Sequence, residues 1–200
     1  SLVAIEFGLH GHNNCFAGGW TAGSAAIQDA LDALRRQPDL RLLAGGLDAL
    51  SETAFRATAA ELPMSKCRCR PFDASADGLV IGEGAAVLAL ESAASAESRG
   101  AHVLGWLRGC GACGGPDLAA AVRSAIDVAL ADAAIEAGQI NAVFASAPGV
   151  PAIDAAEASA IVDLFPHARV TALKAIIGEP QGAWGPLAIA LALICMQSGV

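Results

Sequence analysis

Residues 69–91, CRPFDASADGLVIGEGAAVLALE, place a loop, a glycine turn and a strand in one continuous stretch. Pro71 fixes one backbone dihedral, and Gly78 supplies a conformation that residues with side chains resist. Two aspartates between them favour turns, so the first half of the stretch predicts a well-defined loop. Residues 85–90 are all apolar and as long as a typical strand, which predicts a strand covered on both faces.

Strand and helix patterns alternate along the rest of the chain. Apolar runs predict further strands at 40–46, 101–109 and 140–145. Helical spacing of apolar residues, closed by glycine or proline, predicts helices at 1–12, 28–35, 51–61 and 117–137. Such alternation predicts an α/β fold built on a layered sheet.

The composition narrows the class of protein. The 200 residues are 54% hydrophobic with a mean hydropathy of +0.51, so much of the chain must lie in a core or an interface. No run approaches the roughly 20 apolar residues that span a bilayer, so we expect no membrane span. The net charge of −8 and the scattered positions of the 12 basic residues argue against nucleic acid as a partner. Six cysteines in a chain of this length, with no signal peptide at Ser1, predict a reducing, cytoplasmic location.

The 69–91 stretch resembles the R-P-F-D-x-x-x-D-G-x-x-x-G-E-G-A-x-x-x-x-L-E signature of β-ketoacyl synthases, the condensing enzymes of fatty acid and polyketide assembly. Glu83 falls on the acidic residue of its G-E-G segment. The resemblance implies a thiolase-like layered α/β/α fold. A complete ketosynthase is about twice this length, so the resemblance predicts one partial domain that is incomplete at both ends. Residues 1–100 would correspond to the nucleophile half and residues 101–200 to the second half.

The nucleophile position of the family is reached by counting from residues 7–13, FGLHGHN, which resemble Y-G-L-x-G-P-N. Seven residues later, at a helix N-terminus, the family has its nucleophilic Cys. In this chain the residue at that position is Trp20, and the small residues that follow it match the start of the family's helix. An indole cannot act as that nucleophile, so we expect Trp20 to fill the former acyl pocket, unless it is a core aromatic displaced by a register error. Cys15 lies five residues too early and is expected to be a buried structural thiol.

Two further motifs resemble the segments that carry the family's catalytic histidines. Residues 146–157 resemble H-G-T-x-T-P-x-x-D-x-x-E, keeping Asp154 and Glu157 but placing Ser146 at the His position. Residues 174–185 resemble K-x-x-x-G-H-x-x-G-A-x-G, keeping Lys174 but placing Glu179 at the second His. A hydroxyl cannot exchange protons near neutral pH as imidazole does, and a carboxylate would repel developing negative charge.

The remaining histidines and cysteines suggest no cofactor or metal. The cysteine pairs at 67 and 69 and at 110 and 113 do not have the spacing of paired zinc knuckles, so we expect no metal site. The four histidines, which fall outside the two motifs, are interpreted as surface or loop residues: His10, His12, His102 and His167.

Loss of the nucleophile and of both histidines inside a preserved frame implies a ketosynthase-like subunit that no longer condenses. Among relatives, the chain length factor of type II polyketide synthases is such a subunit, which pairs with an active ketosynthase and shapes the tunnel for the growing chain. Chain length factors usually carry Gln where this chain has Trp20, so a decarboxylating role is not supported, and a divergent group such as one serving polyene pigments stays open.

The resemblance also implies partners and leaves alternatives. Ketosynthase subunits join through the strand before the nucleophile, here about 14–19, so we expect a heterodimer with an active ketosynthase and access to acyl-carrier protein through that complex. One alternative is an acyltransferase with replacement chemistry at Cys15 or Glu179. Another is a purely structural partner subunit.

Overall fold

The computed structural model describes residues 2–199. The chain divides into two compact units, the first formed by residues 2–48, 84–104 and 181–199 and the second by residues 49–83 and 105–180. The α-helices of the described chain are α1 (Leu2–Glu6), α2 (Ala22–Arg36), α3 (Glu52–Glu61), α4 (Ala93–Ser98), α5 (Leu118–Ala133), α6 (Pro151–Leu164), α7 (Lys174–Ile177) and α8 (Trp184–Ser198). The strands are β1 (Arg41–Asp48), β2 (Gly84–Glu91), β3 (Ala142–Phe144) and β4 (Arg169–Thr171).

The first unit is built on the antiparallel pair of β1 and β2, in which Arg41 lies opposite Glu91 and Asp48 opposite Gly84. Helices α2 and α8 pack against this pair and against each other. Close approach is possible because α2 begins with small residues. A Cβ on Gly23 would lie 2.2 Å from the carbonyl oxygen of Gly182, so the glycine is required by the packing.

Strand β2 is present where the apolar run predicts it, but the prediction that both of its faces are covered is wrong. Its residues alternate between half-buried and exposed, and Val87 is 66% exposed. On the neighbouring strand Leu43 and Leu47 are 60% and 74% exposed. The alternating direction of side chains therefore leaves one apolar face of the pair open in this chain.

The second unit contains β3 and β4, which pair in parallel with Val143 opposite Val170. Helix α6 connects them, since parallel strands need a long crossover, and α5 packs against α6. Asp117 caps the N-terminus of α5, where its Oδ1 accepts a hydrogen bond from the amide of Ala120 and so satisfies a free N–H at the helix start. Both β3 and α5 lie inside their predicted ranges.

The loop at the start of the 69–91 stretch is as well defined as its residues predict. The amide of Ser75 donates to Oδ1 of Asp73 at 2.7 Å, and Arg70 forms an ion pair with Asp77 at 3.2 Å. Gly78 has φ +145°, and a Cβ there would lie 2.4 Å from the carbonyl oxygen of Pro63. Only glycine fits this conformation and this close approach.

Two predicted strands do not form. Residues 12–18 have no regular structure and are exposed, so the strand expected at about 14–19 is absent. Residues 101–109 are also without regular structure. A strand needs a neighbour for its backbone hydrogen bonds, and the described chain provides none in either place. Within residues 2–199 we find no helix long and apolar enough to cross a membrane.

Candidate functional site

Trp20 lies in the 3₁₀ turn Gly19–Thr21, which leads directly into α2. The structure therefore places it at a helix N-terminus, the location that the family resemblance implies for a nucleophile. Its side chain is half-buried. Whether the indole fills a former acyl pocket stays a prediction.

Cys15 does not occupy the position that was expected of it. The thiol is exposed and lies in the unstructured segment 12–18, so the prediction of a buried structural thiol is wrong. The physical reason is the missing strand: without backbone pairing, the segment is not held against a core. Nearby, His12 bonds Asp29 at 2.6 Å, and this hydrogen bond lowers the pKa of the Asp29 carboxyl.

The centre of the second unit's candidate site is a buried ion pair between Lys174 and Glu179. Nζ of Lys174 lies 2.7 Å from Oε2 of Glu179, and the two side chains are 1% and 0% exposed. Lys174 opens the short helix α7, and Gly178, with φ +73°, reverses the chain behind it. That turn brings the carboxylate five residues later back to the ammonium group.

Ser146 completes the environment of the ammonium group. Nζ of Lys174 donates to the backbone oxygen of Ser146 at 2.7 Å and lies 3.0 Å from its hydroxyl oxygen. An ammonium group has three hydrogens, and these two oxygens together with Glu179 match them. Ser146 itself is exposed, since it follows the C-terminal end of β3. Ser146 and Glu179, which the family resemblance aligns with histidines, are thus joined through one lysine.

Two retained carboxylates hold the loop around Ser146. Oε1 of Glu157 accepts a hydrogen bond from the Ser146 amide at 2.7 Å. The buried carboxylate of Asp154 accepts from the amides of Gly149 at 3.1 Å and Phe72 at 2.9 Å. Both acidic residues project from α6, and they have positioning roles toward the loop.

The 69–91 stretch runs beside the same cluster. The amide of Glu179 donates to the Val80 oxygen at 2.8 Å, and the amide of Gly82 donates to the Glu179 oxygen at 2.9 Å. Through the Phe72 amide, the loop is also tied to Asp154. Glu83, in contrast, accepts from the Leu50 amide at 3.0 Å and is exposed, so its carboxylate supports the chain before α3.

Burial governs the ionisation of this cluster. It lowers the pKa of Lys174, because the ammonium loses its hydration, although Glu179 and Glu157 oppose that change. It raises the pKa of Glu157, against the opposing effect of the Ser146 amide. The thiol of Cys69, which donates to the Pro148 oxygen at 3.0 Å, also has a raised pKa because of burial.

The hydroxyl of Ser146, the ammonium of Lys174 and the carboxylate of Glu179 thus form one Ser–Lys–Glu arrangement. The sequence reasoning treated Glu179 as a repulsive carboxylate and missed its pairing with Lys174. One feature of the sequence could have indicated this pairing. Lys174 and the acidic Glu179 occur in the same motif, five residues apart, which favours charge compensation. The exposed loop or turn positions expected for the four histidines are observed.

The described residues 2–199 contain no group of three or more His, Cys, Asp or Glu side chains placed to hold a metal ion.

Comparison with known proteins decides the family. The model of the β-ketoacyl synthase N-terminal domain matches residues 1–96, and that of the C-terminal domain matches residues 111–200. The chain belongs to the β-ketoacyl synthase family. It is 34% identical over 211 residues to a Streptomyces coelicolor protein named actinorhodin polyketide β-ketoacyl synthase 2, covering 99% of this chain and 52% of that protein.

Solved ketosynthase structures confirm the predicted thiolase-like α/β fold. A β-ketoacyl synthase from Burkholderia phymatum superposes with a TM-score of 0.93 at 30% identity, over 98% of this chain and 51% of that one. The ishigamide ketosynthase/chain length factor gives a TM-score of 0.82 at 30% identity, over 92% of this chain and 46% of that one. The chain thus spans about half the length of the ketosynthases that it matches.

Proposed function

We propose that this chain is a ketosynthase-like subunit of the chain length factor type, which does not condense acyl groups itself. It would pair with an active β-ketoacyl synthase and shape the tunnel that holds the growing chain in polyketide, polyene or fatty acid synthesis. The supporting observation is the buried ion pair of Lys174 and Glu179. Glu179, which the resemblance aligns with a catalytic histidine, is held in this pair.

The chemistry of condensation explains why this observation matters. A condensing enzyme needs a thiolate to hold the acyl chain and neutral imidazoles to stabilise the charge that develops during decarboxylation. Here Trp20 stands at the thiolate position. Glu179 is paired with Lys174, and Ser146 offers a hydroxyl in place of an imidazole.

Partner binding is supported by apolar surface that this chain leaves exposed. Leu43, Leu47 and Val87 form an open apolar face on the β1–β2 pair, and residues 12–18 are exposed without regular structure. Apolar surface of this kind marks interfaces. A ketosynthase partner and, through it, acyl-carrier protein are the binding partners we propose, together with a location in the cytoplasm.

The test is a condensation assay with acyl- and malonyl-loaded carrier protein. The chain alone should give no 3-oxoacyl product, whereas the chain together with an active partner ketosynthase should give product. Product from the purified chain alone would overturn the proposal. A complex that yields the same products with and without this chain would reduce its role to a structural one.

A further inference from the structure

Ser146 is the point at which the buried Lys174–Glu179 pair reaches the solvent. The lysine and glutamate side chains are 1% and 0% exposed, whereas Ser146 is exposed at the end of β3. We propose that Ser146 is an acyl-accepting nucleophile, with Lys174 as the base that takes its hydroxyl proton and Glu179 as the group that sets the protonation of Lys174. This activity goes beyond the proposed function, because it needs neither condensation nor a partner subunit.

The distances fit a line of proton transfer. Oγ of Ser146 lies 3.0 Å from Nζ of Lys174, and Nζ lies 2.7 Å from Oε2 of Glu179. Both distances are within the range required of a general base and its partner. The bond from Nζ to the Ser146 backbone oxygen, at 2.7 Å, fixes the residue over the amine. A serine activated by a lysine is a known variant of the nucleophile–base pair.

The lysine must lose a proton before it can act as a base. Because both side chains are buried, transfer of one proton from the ammonium to the carboxylate removes two buried charges and so avoids their desolvation. Burial acts in the same direction, since it lowers the pKa of Lys174. The charged or titratable groups that face Lys174 are Glu179 behind it, Glu157 from α6 and Cys69 from the loop.

The reaction with an acyl thioester is balanced without any further reactant. Oγ of Ser146 forms a bond to the thioester carbonyl carbon while its proton passes to the neutral amine of Lys174. The carbon–sulfur bond breaks, and the departing thiolate takes that proton from Lys174. The products are a serine ester and a free thiol, with no change in oxidation state.

The surroundings also predict the speed of this reaction. The amide of Ser146 is bonded to Oε1 of Glu157 at 2.7 Å and so is not free to stabilise an oxyanion. Removing such a donor costs an enzyme a large part of its rate. The structure therefore favours a slow, stoichiometric acylation that leaves the acyl group on Ser146, rather than repeated turnover.

The experiment uses S-butyryl-N-acetylcysteamine with the purified chain, followed by intact-mass measurement and peptide mapping. Neutral hydroxylamine removes acyl groups carried as thioesters on exposed thiols such as Cys67, and leaves a serine ester. We expect one butyryl group on Ser146, lost in Ser146→Ala. Ser159→Ala is the matched control, because Ser159 is an exposed serine on α6, and it should be labelled like the unchanged chain.

Glu179→Gln tests the proton route. Glutamine can still accept a hydrogen bond from Lys174 but cannot take its proton, so labelling of Ser146 should slow roughly a hundredfold. Circular dichroism would show whether this variant folds; if it does not, Ser146→Ala still decides the question, because its side chain is exposed. An unlabelled Ser146 in the unchanged chain would overturn the proposal. So would equal labelling of Ser146→Ala, or of folded Glu179→Gln.

Discussion

Nζ of Lys174 lies 2.7 Å from Oε2 of Glu179, and neither side chain is more than 1% exposed. Two opposite charges without water are stable only as a pair, so each residue depends on the other. The pairing explains how a carboxylate is tolerated in this buried place, which the family resemblance aligns with a histidine. It also makes the stability of the second unit sensitive to either residue.

Replacing Glu179 by Ala should therefore destabilise the fold strongly. The buried Lys174 ammonium would lose its paired carboxylate, and we expect a loss of about 3–5 kcal/mol in the free energy of unfolding. Urea denaturation followed by circular dichroism measures it. The double variant Lys174→Met with Glu179→Leu should recover most of the loss, because no buried charge remains.

The control for this series is Glu52→Ala. Glu52 pairs with Arg56 on α3 at 2.8 Å, with both side chains more than three-quarters exposed. Its loss should change the free energy of unfolding by no more than about 0.5 kcal/mol. If Glu179→Ala and Glu52→Ala have equally small effects, the ion pair is not the stabilising feature described here.

Glu157 should give the protein a pH-dependent stability. Burial raises its pKa above the ordinary value of 4.5, so the folded state binds the proton more tightly than the unfolded state does. Its contribution is full below 4.5 and is lost as the pH rises through the raised value. Glu157→Gln keeps an oxygen for the Ser146 amide but cannot ionise, so this decline should disappear.

The measurement is the free energy of unfolding at a series of pH values from mildly acidic to neutral. Glu61→Gln, an exposed carboxylate on α3, should keep the slope of the unchanged protein. A Glu157→Gln variant with the same slope as the unchanged protein would show that another group is responsible.

Restoring the thiol by Trp20→Cys should not restore condensation. The thiol would stand in the 3₁₀ turn that leads into α2, but Ser146 and Glu179 would still occupy the positions that the resemblance aligns with histidines. Assay of the purified variant with acyl- and malonyl-carrier protein should give no 3-oxoacyl product. Product formation by this variant, without a second ketosynthase, would mean that the assignment of the two histidine positions is wrong.

Trp20→Ala tests whether the indole limits the space for the acyl chain. Because Trp20 is half-buried, we expect a loss of about 2 kcal/mol, less than the about 3–5 kcal/mol for a fully buried aromatic residue. In a complex with an active ketosynthase, mass spectrometry should show a shifted product length and a similar rate. Trp106→Ala, at a 63% exposed tryptophan, is the control and should leave the products unchanged.

If the Trp20→Ala complex has an unchanged product distribution and unchanged stability, the indole does not limit the space for the acyl chain. Trp20 would then be an ordinary residue that the helix start tolerates.

The local features of this fold follow from the sequence more closely than the long-range ones. Gly78 must be glycine because of its backbone conformation and the nearby Pro63 oxygen, and the sequence predicted its loop. The apolar run of β2 predicted a strand but not which of its faces would be covered, since burial depends on distant elements. The strand expected at 101–109 from its apolar residues, and the one expected at about 14–19 from the family resemblance, have no strand partner in the described chain.

In the candidate site, too, the sequence predicted local features but not long-range contacts. The family motifs identified Ser146, Lys174, Glu157 and Glu179 one by one, from spacing along the chain. Their contacts depend on the turn at Gly178 and on the loop that follows β3, neither of which a linear motif describes. For that reason the pairing of Glu179 with Lys174 could not be predicted from the motif.

The central claim, that this chain supports condensation without performing it, is tested most directly in a mixed complex. The chain is co-purified with an active ketosynthase whose nucleophilic cysteine has been replaced by alanine, and condensation is measured with acyl- and malonyl-carrier protein. A stable complex with equal amounts of the two proteins and no 3-oxoacyl product is predicted, with product restored when the partner keeps its cysteine. Condensation by the complex that lacks the partner's cysteine, or failure of the two proteins to associate, would contradict the account.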